Sequence, residues 1–195
     1  NNCGGCGYPG CDGLAAAIAA GPAPVNGCPV GGAPVADKIA AIMGVESGSS
    51  EKKVAFVKCK GTCDKTNVKY NYYGITDCSM VTVAPGSGEK ACAYGCMGYG
   101  SCVKACQFDA IHVVDGVAVV DKEKCVACGK CVATCPKGLI ELVPYKAEHL
   151  VQCSSHDKGP AVKKVCTAGC IGCTLCTKQC EFDAIHMENN VAVID

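Results

Sequence analysis

The chain has 195 residues, of which 21 are cysteine and 24 glycine, against 3 Phe, 7 Tyr and no Trp. Cysteine this dense with so few bulky apolar groups excludes an ordinary hydrophobic core as the main source of stability, and metal binding would supply folding energy in its place. Acidic and basic residues balance at 18 each, and every basic one is lysine; without arginine forks to clamp phosphate, a nucleic-acid-binding role is excluded.

Residues 1–43 read as a first unit, a four-cysteine domain. "CGGCGYPGC" and one distant cysteine give C-x2-C-x4-C-x16-C on Cys3, Cys6, Cys11 and Cys28. Asp12 is placed to cap a short helix over "GLAAAIAA", ended by Gly21, and a second helix is predicted from Val35 to Met43, closed by Gly44. Four thiols in a glycine-rich loop ahead of a helix suit one [4Fe-4S] cluster, the helix N-terminus offsetting thiolate charge, with zinc as the alternative. "GVESGSSEKK" then reads as a polar linker over 44–53 and marks a domain boundary.

Residues 54–95 are predicted to be a cysteine-bearing irregular segment, with a short strand at Val54–Val57 and with Cys59, Cys63, Cys78 and Cys92 widely spaced. From Cys96 on, short cysteine-rich helical turns alternate with hairpins. One hairpin spans Ala110 to Asp121 and turns at Asp115-Gly116; the other spans Ala184 to Asp195 and turns at Asn189-Asn190. The expected fold is therefore α+β, small and loop-rich. A ferredoxin-like module of two [4Fe-4S] sites covers 96–145, and 146–195 is the start of a second module.

An internal repeat underlies this division. Cys92 to Asp121 lies over Cys166 to Asp195 at an offset of 74 without a gap. Cys96, Cys102 and Cys106 match Cys170, Cys176 and Cys180, but Tyr99 falls where the second copy has Cys173. Short C-x2-C-x2-C spacing lets three thiolates converge on one cluster, and in two-cluster ferredoxins the fourth cysteine, often followed by proline, serves the other cluster. "CVACGKCVATCP" fits this in full. Cys125, Cys128 and Cys131 are assigned to one [4Fe-4S] cluster with Cys106 crossing over, and Cys135, before Pro136, goes to Cys96 and Cys102. Cys170, Cys173 and Cys176 form a third such site, with a fourth ligand expected past residue 195 and Cys180 crossing to a further cluster. That leaves Cys59, Cys63, Cys78, Cys92, Cys153 and Cys166. A cluster on Cys59, Cys63 and Cys78 is expected, with a fourth ligand from this pool. Cys92 or Cys153 would complete the Cys96/Cys102/Cys135 site, and at least one of the six is a plain buried thiol. The total is four to five [4Fe-4S] clusters.

Disulfides fit poorly, because cysteines two residues apart cannot readily bridge one another. His112 and His186, equivalent in the repeat, read as partly exposed strand positions rather than ligands. Lys104, Lys124, Lys130, Lys137 and Lys178 lie near cysteines and read individually as solvated surface. The glycine-rich stretches lack the strand–helix context of a nucleotide loop. There is no apolar run of ~18 residues, and an abrupt start together with a repeat cut short at Asp195 suggests a fragment.

The N-terminal "NNCGGCGYPGCDGLAAAI…VNGCPVGG" resembles the four-cysteine domain of the B subunit of Rnf complexes; a related domain occurs in the large subunit of the corrinoid iron–sulfur protein. The stretch from "EKACAYGC" to "GLIELVP" is similar to the longer, multi-cluster form of that Rnf protein. This resemblance implies an electron-transfer subunit of an ion-translocating ferredoxin:NAD+ oxidoreductase. It would take electrons from reduced ferredoxin and pass them to other Rnf subunits at the cytoplasmic face of the cell membrane, attached through an N-terminal helix absent from this chain and through the complex. The resemblance implies no acid–base catalytic residues. A free soluble polyferredoxin is the other reading.

Overall fold

The computed structural model describes residues 2–48 and 51–195. Ser49 and Ser50, within the predicted linker, lie outside the described residues, as does Asn1. Helix α1 (Gly10–Ala20) starts ahead of the predicted position. Pro9 stands at its N-cap, and the Asn2 Oδ1 accepts from the Cys11 N–H in the first turn at 2.7 Å. Asp12 sits instead in the first turn, where its charge suits the helix dipole. Gly21 ends the helix in the left-handed region, at φ 98°, its N–H donating to Ile18 O. Helix α2 (Gly32–Met43) is a turn longer than predicted and ends at left-handed Gly44. Leu14, Ile18 and Ala23 form a small core here, packed by Tyr8, Cys6, Cys28 and Ile39.

The rest of the chain is built on three two-stranded sheets. Strand β1 (Lys53–Val57) leads into the irregular segment, which carries one short helix, α3 (Cys78–Val81), and a 3-10 turn at Pro85–Ser87. Helix α4 (Ser101–Ala105) precedes the first hairpin, β2 (Ile111–Val114) and β3 (Val117–Val120). Its turn residues Asp115 and Gly116 have φ of 47° and 77°, the mirror-image turn that matches strand twist. Helix α5 (Lys130–Thr134) packs on α4, and β4 (Ile140–Pro144) follows.

The sequence did not announce β4. It pairs antiparallel with β1, Val54 opposite Val143 and Val57 opposite Ile140. Val54 is wholly buried, and burying a valine side chain stabilises by roughly 1.5–3 kcal/mol. Ala55, Val57, Ile111, Ala118 and Ile140 make the central core, with Cys102 at its heart. The second copy of the repeat holds α6 (Gly159–Val165), α7 (Leu175–Gln179), and the hairpin β5 (Ile185–Glu188) and β6 (Val191–Ile194). Residues 66–69 stitch this copy to the first: Thr66 bridges to Cys166, Val68 bridges to Lys90, and Thr66 Oγ1 donates to Val165 O. No helix among the described residues is long and apolar enough to cross a membrane.

Candidate metal centres

Three cavities in the core are each lined by four or more cysteines. The first carries Cys106, Cys125, Cys128 and Cys131, walled by Ala55, Phe108, Ile111 and Val120. Local backbone explains the convergence. Ala127 and Gly129 take left-handed φ of 54° and 75°, which folds the loop so that its thiols turn to one side before α5 begins. The Ala55 N–H donates to Cys125 Sγ at 3.3 Å, so β1 contributes to the site.

The second cavity carries Cys78, Cys96, Cys102 and Cys135, with Met97, Leu139 and Ile140 in its walls. Cys78 stands where the tyrosine left a gap. The Cys78 N–H donates to Ser101 Oγ at 2.7 Å, and Ser101 Oγ donates to Asp77 Oδ2 at 2.9 Å. Asp77 also caps α3 by accepting from the Ser79 N–H. These bonds, which hold the Asp77 carboxyl below its ordinary range with Ser101 the main cause, pin α3 against the start of α4. Tyr99 packs with Cys78, Val81 and Met97, its ring edge-on to Tyr72 at 5.6 Å between centroids. Tyr99 thus acts as a packing wedge behind the cysteine that takes its place.

The third cavity carries Cys59, Cys92, Cys153 and Cys166, with Cys96 on the wall it shares with the second. Two glycines let the chain wrap it closely. A Cβ on Gly61 would lie 3.4 Å from Cys166 Sγ and 3.7 Å from Cys59 Sγ; one on Gly95 would lie 3.4 Å from Cys92 Sγ and 3.6 Å from Cys59 Sγ. The Cys96 N–H donates to Cys59 Sγ at 3.3 Å, linking the second and third cavities. Cys92 and Cys166, equivalents in the repeat, meet at this one site, so it sits at the junction of the two copies.

The structure does not bring Cys59, Cys63 and Cys78 together, contrary to the expectation from spacing. Cys59 and Cys78 line different cavities, while Cys63 is exposed, lines none of the three, and donates its N–H to Asp115 O. Nor do Cys92 or Cys153 line the cavity of Cys96, Cys102 and Cys135. The ligand loops reach these positions through β1–β4 pairing and through α6, which no local spacing encodes. Two signals in the sequence could have separated the pool: Cys92 and Cys166 share a repeat position, and Cys78 opens a helix whose Asp77 cap is legible.

In the N-terminal unit, Cys11 lies in the first turn of α1, and the Gly31 N–H donates to Cys28 Sγ at 3.3 Å. Gly5 abuts the first cavity: a Cβ there would lie 2.9 Å from Cys128 Cβ. In the second copy, Cys170 and Cys180 are half-buried, and Cys173 and Cys176 are exposed around left-handed Thr174.

The donor sets fit iron–sulfur clusters. The cavity walls are largely apolar, the thiols lie in groups of four, and main-chain N–H groups point at sulfur, as thiolate ligands require. Burial, aided by neighbouring thiols, pushes Cys102 up to about 12 and Cys131 to about 11, so the apolar surroundings alone favour the neutral thiols there. Among the described residues, no three Cys, His, Asp or Glu side chains converge tightly enough for a single metal ion.

Two family models match the chain: "Putative Fe-S cluster" over residues 1–30 and "LdpA Fe-S cluster-binding domain" over residues 101–146. Curated relatives match throughout. The chain is 53% identical over 195 residues to the B subunit of the Na(+)-translocating ferredoxin:NAD(+) oxidoreductase complex of Acetobacterium woodii, covering 100% of this chain and 58% of that protein. It is 46% identical to the B subunit of the ion-translocating oxidoreductase complex of Methanosarcina acetivorans, covering 100% of this chain and 74% of the relative. The chain belongs to the family of B subunits of ion-translocating oxidoreductase complexes. A third member, the B subunit of the proton-translocating ferredoxin:NAD(+) oxidoreductase complex of Clostridium ljungdahlii, is 43% identical over 99% of this chain and 68% of its own length. The chain thus spans between 58% and 74% of the length of these relatives. The family models cover Cys3, Cys6, Cys11 and Cys28, and Cys102 to Cys135, so this is an iron–sulfur protein.

Proposed function

We propose that this chain is the electron-transfer segment of an Rnf-type B subunit, which accepts electrons from reduced ferredoxin and delivers them toward NAD+ reduction through other subunits at the cytoplasmic face of the membrane. The observation that carries this reading is the grouping of cysteines in fours around adjacent cavities. When bound, [4Fe-4S] clusters supply one-electron relay chemistry. The protein's part is to hold them through Cys3/Cys6/Cys11/Cys28, Cys106/Cys125/Cys128/Cys131, Cys78/Cys96/Cys102/Cys135, Cys59/Cys92/Cys153/Cys166, and Cys170/Cys173/Cys176 with a further ligand. On this assignment Cys63 is the spare thiol, and Cys180 serves the partner site of the second module. The units 1–43, 54–95, 96–145 and 146–195, with the 44–53 linker, belong to the same proposal.

The contacts support one spatial order. Gly5 brings the N-terminal loop to Cys128, α4 and α5 connect the Cys106 and Cys135 sites, Cys96 touches Cys59, and Cys166 leads to Cys170 within one turn of chain. The sites therefore form a single file whose order differs from the order of cysteines along the sequence.

The test is to mix the anaerobically prepared protein with reduced ferredoxin and follow visible absorption near ~400 nm, where such clusters absorb. Bleaching in step with ferredoxin oxidation is the expected result. No bleaching by ferredoxin, with full bleaching by dithionite, would leave an iron–sulfur protein but overturn ferredoxin as donor.

A further inference from the structure

Two lysines, one buried and one half-buried, line the third and second cysteine cavities. Lys90 is only 8% exposed, and its Nζ donates to Gly61 O at 3.1 Å and to Gly116 O at 2.6 Å. It lines the cavity of Cys59, Cys92, Cys153 and Cys166. Lys137, half-buried, lines the cavity of Cys78, Cys96, Cys102 and Cys135. Its Nζ donates to Ala93 O at 2.7 Å and to Gly95 O at 3.2 Å, both in the loop between Cys92 and Cys96. Neither ammonium forms an ion pair with a carboxylate among the described residues, whereas half-buried Lys58 and exposed Lys124 do.

A buried ammonium without a counter-charge is expensive, and two carbonyl dipoles do not neutralise it. Among the described residues no Asp or Glu lines either cavity, and the chain places thiols there instead. We propose that Lys90 and Lys137 are the built-in counter-ions of these two cysteine sites, and that they raise the reduction potentials of the clusters held there relative to the others in the file. The inference rests on the proposed ligand sets. The physical basis is charge. An oxidised [4Fe-4S] centre with four thiolates carries about −2, and one-electron reduction makes it about −3. A fixed cation at the wall favours the more negative state, with no proton transferred. Lys90 and Lys137 are positioning residues for the field, not ligands. They also make the middle of the file a sink, so that an electron entering at either end settles there before leaving.

The test is an EPR-monitored potentiometric titration of the iron-replete protein, with dithionite supplying the electrons. Wild type is compared with Lys90→Met, Lys137→Met, Lys90→Arg and, as a surface control, Lys124→Met. Lys90→Met and Lys137→Met should each lower one cluster's midpoint by about 59 mV or more, a tenfold change in the reduced-to-oxidised ratio of a one-electron couple. Lys90→Arg, which keeps the charge, should stay near wild type, and Lys124→Met should not move. Should Lys90→Met lose one cluster while Lys90→Arg keeps it, the charge is again what matters. Unchanged midpoints at full iron content in both Met variants would overturn the inference, as would loss of the cluster in both Lys90→Met and Lys90→Arg, which marks a purely structural tie. If wild type itself lacks iron at these sites, the proposed ligand sets fail instead.

Discussion

Replacing Cys78 by serine removes the thiol that reaches the second cavity from the irregular segment ahead of the repeat. The expected effect is the loss of one cluster, about four of the sixteen to twenty irons per chain, with the remaining sites filled. The Cys63→Ser variant, which touches an exposed thiol lining none of the three cavities, should keep them all. Tyr99 supplies a second arm. It occupies the ligand position of the repeat and packs on Cys78, so Tyr99→Cys in the Cys78→Ser background should return a thiol to the site and recover the iron. The rescue has a cost, because Tyr99 packs on Val81 and Met97 and meets Tyr72 edge-on at 5.6 Å. Removing a partly buried ring of this kind destabilises by about 2–4 kcal/mol. The assay is iron and acid-labile sulfide per chain on anaerobically purified variants, with thermal unfolding alongside. An unchanged iron content in Cys78→Ser, or an equal loss in Cys63→Ser, would refute the assignment.

Ser101→Ala strips the acceptor from the buried Cys78 N–H; a destabilisation of ~1–3 kcal/mol by denaturant unfolding and faster oxygen-driven bleaching of one cluster are expected. Gly116→Ala sets a Cβ 2.5 Å from Cys63 Sγ and 3.2 Å from Lys90 Nζ at a φ of +77°, so at least ~1–2 kcal/mol of stability should be lost. A side chain at Gly5, as in Gly5→Val, would collide with Cys128; electron equilibration between the N-terminal unit and the core after flash reduction should slow, with potentials unchanged. The hydrogen bond to Glu188, followed by the charge of Asp195, raises the His186 imidazole above its ordinary 6.5. The stabilisation from this pair is full below that ordinary value and is lost as pH rises through the raised one. NMR titration should show a midpoint above 6.5 that drops in Glu188→Gln.

What was legible in the sequence is what local chain geometry decides. Cys125, Cys128 and Cys131 lie within one loop, and Cys106 lines the same cavity. The Asp115-Gly116 and Asn189-Asn190 turns follow from residues that tolerate positive φ. The sites assembled from distant segments were not legible. Cys59, Cys92, Cys153 and Cys166 meet only because β1 pairs with β4 and because α6 is tied to Thr66 and Asn67. Cys78 looked like a neighbour of Cys59 and Cys63, yet the Asp77–Ser101 bond turns it toward α4. Lys137 reads in sequence as one more surface lysine beside a cysteine. Only its carbonyl partners Ala93 and Gly95, more than forty residues away, reveal its place at the wall of a cysteine cavity.

Metal analysis of the anaerobically purified chain tests the central claim most directly. Iron and acid-labile sulfide should be present in equal amounts, at about sixteen to twenty per chain, four for each [4Fe-4S] site. One zinc per group of four cysteines, with little iron or sulfide, would contradict a relay of clusters altogether.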